Sequence, residues 1–135
     1  MRVLVLQVGQ EFYALPLETV QQVINKPRIT HVPTAHAGLL GLVNVRGEIV
    51  PLFDTAALTG AGELPDPAFA VLVTTPQGPL ALAADAMPVA DEIDEPVAAS
   101  ERPGERGVYA SDGGLVILLA IEELLVGKVA LPRAS

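Results

Sequence analysis

From Leu42 to Asp54 the chain reads Leu-Val-Asn-Val-Arg-Gly-Glu-Ile-Val-Pro-Leu-Phe-Asp, with apolar and polar residues alternating around an Arg46-Gly47-Glu48 turn. A period of two on both sides of a glycine-bearing turn predicts a β-hairpin. Short strand-turn-strand units recur along the chain and no long helical period accompanies them. That combination predicts an all-β protein of small closed barrels rather than a βαβ fold.

The first half of the chain sets out a pattern that the second half repeats. Val3–Val8 alternates, turns at Gly9-Gln10-Glu11 and returns over Phe12–Leu17. Glu18–Ile24 places Val20, Val23 and Ile24 at helical spacing, yet its Val-Gln-Gln-Val pattern equally suits a strand edge. Ile29–Val32 reads as a brief strand closed by Pro33, Pro33–Gly38 as a loop, and Thr55–Leu58 as one helical turn stopped at Gly60. Gly60–Pro67, dense in Gly and Pro, is the linker candidate. Beyond it come strands at Ala70–Thr74, Leu80–Ala84 and Val89–Ile93, a Glu95–Gly107 loop, a hairpin of Val108–Ser111 with Leu115–Ile121, and a helical turn Glu122–Val126 before Gly127.

Val3 aligns with Val71, Gly47 with Gly113 and Gly60 with Gly127, at offsets of 68, 66 and 67 residues by subtraction. Such duplication predicts two similar β-lobes about a pseudo-twofold. The expected organisation is a single domain over 1–135, with lobe one at about 12–65 and lobe two at about 66–121, terminal segments being free to cross between them. A lobe of that size alone buries only about 60% of its unfolded surface, so the two are expected to share a hydrophobic seam.

Composition narrows the function classes. Half of the 135 residues are hydrophobic, yet no apolar run approaches the ~18 residues of a membrane span, so membrane insertion is not expected. Met1–Val8 is too short for a signal peptide and alternates like a strand, which points to the cytoplasm. The absence of cysteine excludes disulfides and thiolate chemistry. Eight scattered basic residues against sixteen acidic ones, net −8, argue against nucleic acid. The acidic surface serves solubility or complements a basic partner patch.

Catalysis fares poorly. His31 and His36 lie five apart across Pro33 with no third ligand beside them, so neither a metal nor a cofactor is expected. The pairs Asp91-Glu92, Asp94-Glu95 and Glu122-Glu123 sit beside turns and helix starts, where carboxylates cap or solvate. Ser100, Ser111 and Ser135 have no base at a recognisable spacing. Binding fits better. Val20, Val23, Leu42 and Arg46 could line one groove, although the valines equally suit a core. Arg46 reads either as a guanidinium fork for a partner or as a strut to Glu48 or Asp54. Gly47 and Pro51 are the expected structural residues of its hairpin.

Asn44-Val45-Arg46-Gly47-Glu48-Ile49-Val50-Pro51 resembles the Asn-x-Arg-Gly-x-x-x-Pro pattern of the CheW family, the adaptors of bacterial chemotaxis. Leu6–Ile24 is similar to that family's opening, with its Tyr-bearing turn and Val-x-x-Val pair. Ile29–Pro33 and Gly38–Asn44 resemble its approach to the hairpin, and Ala81–Asp85 its strand ending in aspartate. Gln22, Thr55-Ala56, Met87-Pro88 and the short Glu95–Gly107 loop depart from the pattern. The resemblance implies two five-stranded SH3-like barrels without catalytic activity. It implies an adaptor between the cytoplasmic tip of a chemoreceptor and the regulatory domain of a CheA-type histidine kinase. Val20, Val23 and Arg46 would then face the receptor tip in the groove between the barrels, and an exposed face of the first barrel would meet the kinase. The other reading of the residues is a structural or regulatory β-barrel of an unrelated complex, or a small-ligand module.

Overall fold

The computed structural model describes residues 1–32, 38–100 and 102–125. Strands β1 (Arg2–Val8), β2 (Glu11–Pro16) and β3 (Val20–Asn25) are followed by β4 (Leu39–Val45), β5 (Glu48–Phe53) and the short helix α1 (Thr55–Thr59). Then come β6 (Phe69–Thr75), β7 (Gly78–Ala84), β8 (Val89–Glu92), β9 (Glu105–Ser111), β10 (Gly114–Leu119) and α2 (Ile121–Leu125). They form two five-stranded sheets, β3-β6-β7-β5-β4 and β8-β1-β2-β10-β9, each an SH3-like barrel as the sequence led us to expect.

The duplication is present, with a twist in its wiring. Each half supplies a hairpin, a lone strand, a second hairpin and a helical turn, so β1–β5 correspond in order to β6–β10. Substituting one half's strands for the other's converts one sheet order into the other. The first hairpin of each half is therefore built into the barrel of the opposite half. Parallel pairing joins it there: Tyr13 faces Ile117 between β2 and β10, and Ala81 faces Leu52 between β7 and β5.

This corrects the lobe boundaries at about 12–65 and 66–121. The first barrel takes β3–β7, and the second takes β1 and β2 together with β8–β10. Gly60–Pro67 consequently connects α1 to β6 inside the first barrel and is not an inter-barrel linker. The physical reason is that β6 and β7 find their partners in β3 and β5, and β1 finds one in β8.

The exchanged hairpins account for the apolar content. Along β6, Ala70 and Leu72 fill the first barrel while Val71 and Val73 pack into the seam. Along β1, Val3 points into the second barrel and Leu4, Leu6 and Val8 into the seam. Strands buried on both faces lose the polar alternation of a half-exposed strand. Phe53, Leu80, Leu82 and Tyr13 are nearly fully buried in that seam with α1 and α2.

Two segments differ locally from expectation. Leu17–Thr19 is a 3-10 turn, and β3 follows it as an extended strand, which settles the Glu18–Ile24 alternative in favour of the strand edge. Within Ile29–Val32 only Thr30 pairs, its N–H and C=O bonding Leu42 at 2.8 and 2.9 Å. Pro33 and His36 lie outside the described residues, as do Val126 and Gly127.

Candidate functional site: the β4–β5 hairpin and the β3 edge

The tip of the β4–β5 hairpin is a two-residue turn, Arg46-Gly47, closed by the Val45–Glu48 pair. Both central residues have positive φ, 53° and 85°, the signature of a type I′ turn whose twist matches the strands it joins. Glycine takes that conformation freely, whereas arginine does so at a cost of about 1–2 kcal/mol. Asn44 steadies the turn, its Oδ1 accepting the Gly47 N–H at 2.8 Å. The Asn and Gly of the motif are thus the turn's own fasteners, and Arg46 is the residue they hold out.

Arg46 is exposed, and among the described residues the ion pair found joins Arg106 to Glu123, leaving Arg46 unpaired with Glu48 or Asp54. Asp54 is committed elsewhere. It is 5% exposed, its Oδ1 accepts from Ala57 N at 3.2 Å to cap α1, and its Oδ2 accepts from Leu64 N at 2.8 Å.

Val43 and Val45 point into the first barrel, so alternation places Leu42 and Asn44 on its outer face, opposite Pro51 and Ile49. Ile49 is 59% exposed, an apolar side chain three residues beyond Arg46 that the sequence reading missed. Its place in the motif was the available signal. Pro51 costs the β4–β5 ladder nothing: Leu42 turns both backbone groups toward Thr30, so the Leu42–Pro51 pair is one that exchanges no hydrogen bonds.

Val20 and Val23 sit three apart on a strand, which would put them on opposite faces. A bulge at Gln21 corrects this, since Val20 pairs with Val73 and Gln22 with Leu72. Val20 and Val23 therefore share the seam face, where both are half-buried against the core between the barrels. The structure brings Val20 together with Val23, and carries Leu42 and Arg46 on one hairpin, the first within β4 and the second at its tip. The two pairs stand on opposite end strands of the ladder, and the Thr30–Leu42 bridge draws the segment after β3 onto β4.

Among the described residues no group of three His, Asp or Glu side chains could hold a metal ion. His31 is exposed, and His36 lies outside the described residues. An exposed guanidinium on a fixed turn, flanked by apolar side chains, can grip a carboxylate or backbone carbonyl of another protein. Within the described residues, no helix is long and apolar enough to cross a membrane.

Paired barrels that hold an exposed arginine on a tight hairpin turn suit a protein-binding scaffold. The CheW-like domain model matches residues 2–128, and the chain belongs to that family of chemotaxis scaffold adaptors. It is 27% identical over 128 residues to the probable chemotaxis protein CheW of Rhizobium etli, covering 87% of this chain and 83% of the relative. A 54-residue stretch, 40% of this chain and 30% of the relative, is 32% identical to protein PilI of Pseudomonas aeruginosa. The crystal structure of the scaffolding protein TtCheW from Thermoanaerobacter tengcongensis superposes with a TM-score of 0.80 at 22% identity, over 95% of this chain and 90% of that one. That likeness bears on the fold.

Proposed function

We propose that the protein is a non-catalytic cytoplasmic adaptor that couples the tip of a chemoreceptor to the regulatory domain of a CheA-type histidine kinase. Val20, Val23, Leu42 and Arg46 take the receptor tip, and an exposed face of the first barrel meets the kinase. The observation that carries this reading is the Arg46 turn. Its guanidinium is held out in a left-handed conformation and spends nothing on Glu48 or Asp54. A side chain kept on a costly backbone conformation, with no carboxylate partner among the described residues, is better explained by an external one.

The test is titration of the protein with a soluble receptor-tip fragment and, separately, with a CheA-type regulatory domain. Arg46→Glu is expected to weaken the receptor tip roughly ten- to a hundredfold, the equivalent of about 1.5–3 kcal/mol for a charge-assisted bond. It should leave the melting temperature near the wild type. A variant that melts far lower yet binds normally once folded makes Arg46 a strut, and no binding of either partner by the wild type removes the adaptor reading.

A further inference from the structure

The pseudo-twofold that interchanges the halves repeats the register of the hairpin tip with an aspartate where the first has its arginine. Ile49 opposite Asn44 corresponds to Leu115 opposite Ala110, and Arg46-Gly47 corresponds to Asp112-Gly113. Val23, paired with Val71, corresponds to Asp91, paired with Val3. Leu115 is 62% exposed where Ile49 is 59%, so both tips keep an apolar side chain in water. In the second barrel that side chain shares a cleft with two carboxylates, Asp91 and Asp112.

Those carboxylates border a cleft of about 240 Å³ lined by Val5, Phe12, Val89, Asp91, Asp112 and Leu115 among others. Among the described residues, no basic one lines it. Val5 and Val116 at its floor belong to the second barrel's core, while Phe12 and Val89 at its rim are 39% and 61% exposed. Asp91 is fixed in place: Ser111 donates its hydroxyl to Oδ2, Asp112 donates its N–H to the same oxygen at 3.3 Å, and Glu92 donates its N–H to Oδ1 at 2.7 Å. The Ser111 bond above all, with the two N–H donors, holds this acid below its ordinary range, so it stays anionic. An apolar cleft bounded by a fixed anion, on a chain of net charge −8, is complementary to an apolar side chain beside a cation.

We propose that this cleft is a second docking site, taking an apolar side chain of a partner protein segment that carries a lysine or arginine one or two positions away. The site is separate from the Arg46 tip and stands whether or not the receptor reading does. The two tips would sort partners by charge, the first taking anionic or carbonyl groups and the second cationic segments.

The probe is a displayed library of random dodecamer peptides, selected on the intact protein. The comparison arms are Leu115→Asp, Val89→Asp, Asp112→Lys and Arg46→Glu. The first two replace exposed side chains, and Asp112 serves Asp91 through its backbone N–H, which lysine retains. Enriched clones are expected to pair a large apolar residue with Lys or Arg. They should lose at least tenfold in binding to the Leu115, Val89 and Asp112 variants and none to Arg46→Glu. No enrichment, enrichment of acidic peptides, or clones indifferent to Asp112→Lys and to both apolar variants would overturn the proposal. So would wild-type self-association in sedimentation that disappears in Leu115→Asp, which would give the cleft to a second copy of the chain.

Discussion

Tyr13 in β2 faces Thr59 at the end of α1 across the seam between the barrels, where the threonine hydroxyl partly offsets the effect of burial on the tyrosine. Tyr13 is 1% exposed and Thr59 6%, so two hydroxyl-bearing side chains sit inside a largely apolar contact. Thr59 donates to Thr55 O at 2.8 Å, which keeps its hydroxyl satisfied if the tyrosine's is lost. Tyr13→Phe should therefore cost only about 1 kcal/mol, read as a shift in the denaturation midpoint. A loss several times larger would mean that the tyrosine hydroxyl organises the seam.

The same tyrosine sets an alkaline limit. Burial pushes its pKa up from 10.0, so the folded protein holds the proton where the unfolded chain releases it. The contribution is complete below pH 10.0 and is lost as the pH climbs through the folded-state value. Stability measured from pH 8 to 11 should fall at the upper end, and Tyr13→Phe should flatten that fall. Parallel profiles for the two proteins would assign the alkaline loss to other groups.

Gly41 and Gly47 are predicted to fail for different reasons. A Cβ on Gly41 would run into the Thr30 carbonyl oxygen and come within 2.9 Å of Ile29 Cγ2. That carbonyl accepts from Leu42 N, so Gly41→Ala attacks the bridge that closes the barrel and should cost about 3 kcal/mol, the upper end for overpacking. At Gly47 nothing lies within 4 Å, and the penalty of Gly47→Ala is the positive φ alone, about 1–2 kcal/mol. Chemical denaturation ranks the pair, and the reverse order would contradict the contact.

Arg46→Asn should separate folding from recognition. Asparagine is favoured in the left-handed position of a type I′ turn, so the variant is expected to gain up to about 1 kcal/mol. On the adaptor reading it should also lose about tenfold or more in affinity for a receptor-tip fragment. A variant that is both more stable and fully competent would leave the arginine without a purpose at that turn.

The exchange of hairpins predicts one cooperative unfolding transition. Neither sheet can be completed without strands from both halves. Amides of β1–β2 and β6–β7 should exchange with the same free energy as global unfolding. Two well-resolved transitions would show that the seam does not couple the barrels.

Local features were legible in the residues, and long-range ones were not. Alternation and turn chemistry located the β4–β5 hairpin, α1 behind Asp54 and the repeated order of elements. The pairing of Tyr13 with Ile117 has no local signature, because strands buried on both faces all carry the same apolar run. The lobes were accordingly drawn along the chain rather than across it. The shared face of Val20 and Val23 was legible only as helical spacing, since a bulge at Gln21 imitates that effect within a strand. The freedom of Arg46 from internal carboxylates depended on where Asp54 points, which follows from the helix it caps.

The exchanged hairpins also impose a timetable on the newborn chain. Every strand of the first barrel has been synthesised once Ala84 is in place, so that barrel can close early. The hairpin made first has to wait for β10, which ends at Leu119, before its parallel partner exists. Until then Leu4, Leu6 and Val8 can shelter only against the surface that Val71, Val73 and Leu82 present. The order of translation thus makes the earlier barrel a template on which the later one is assembled.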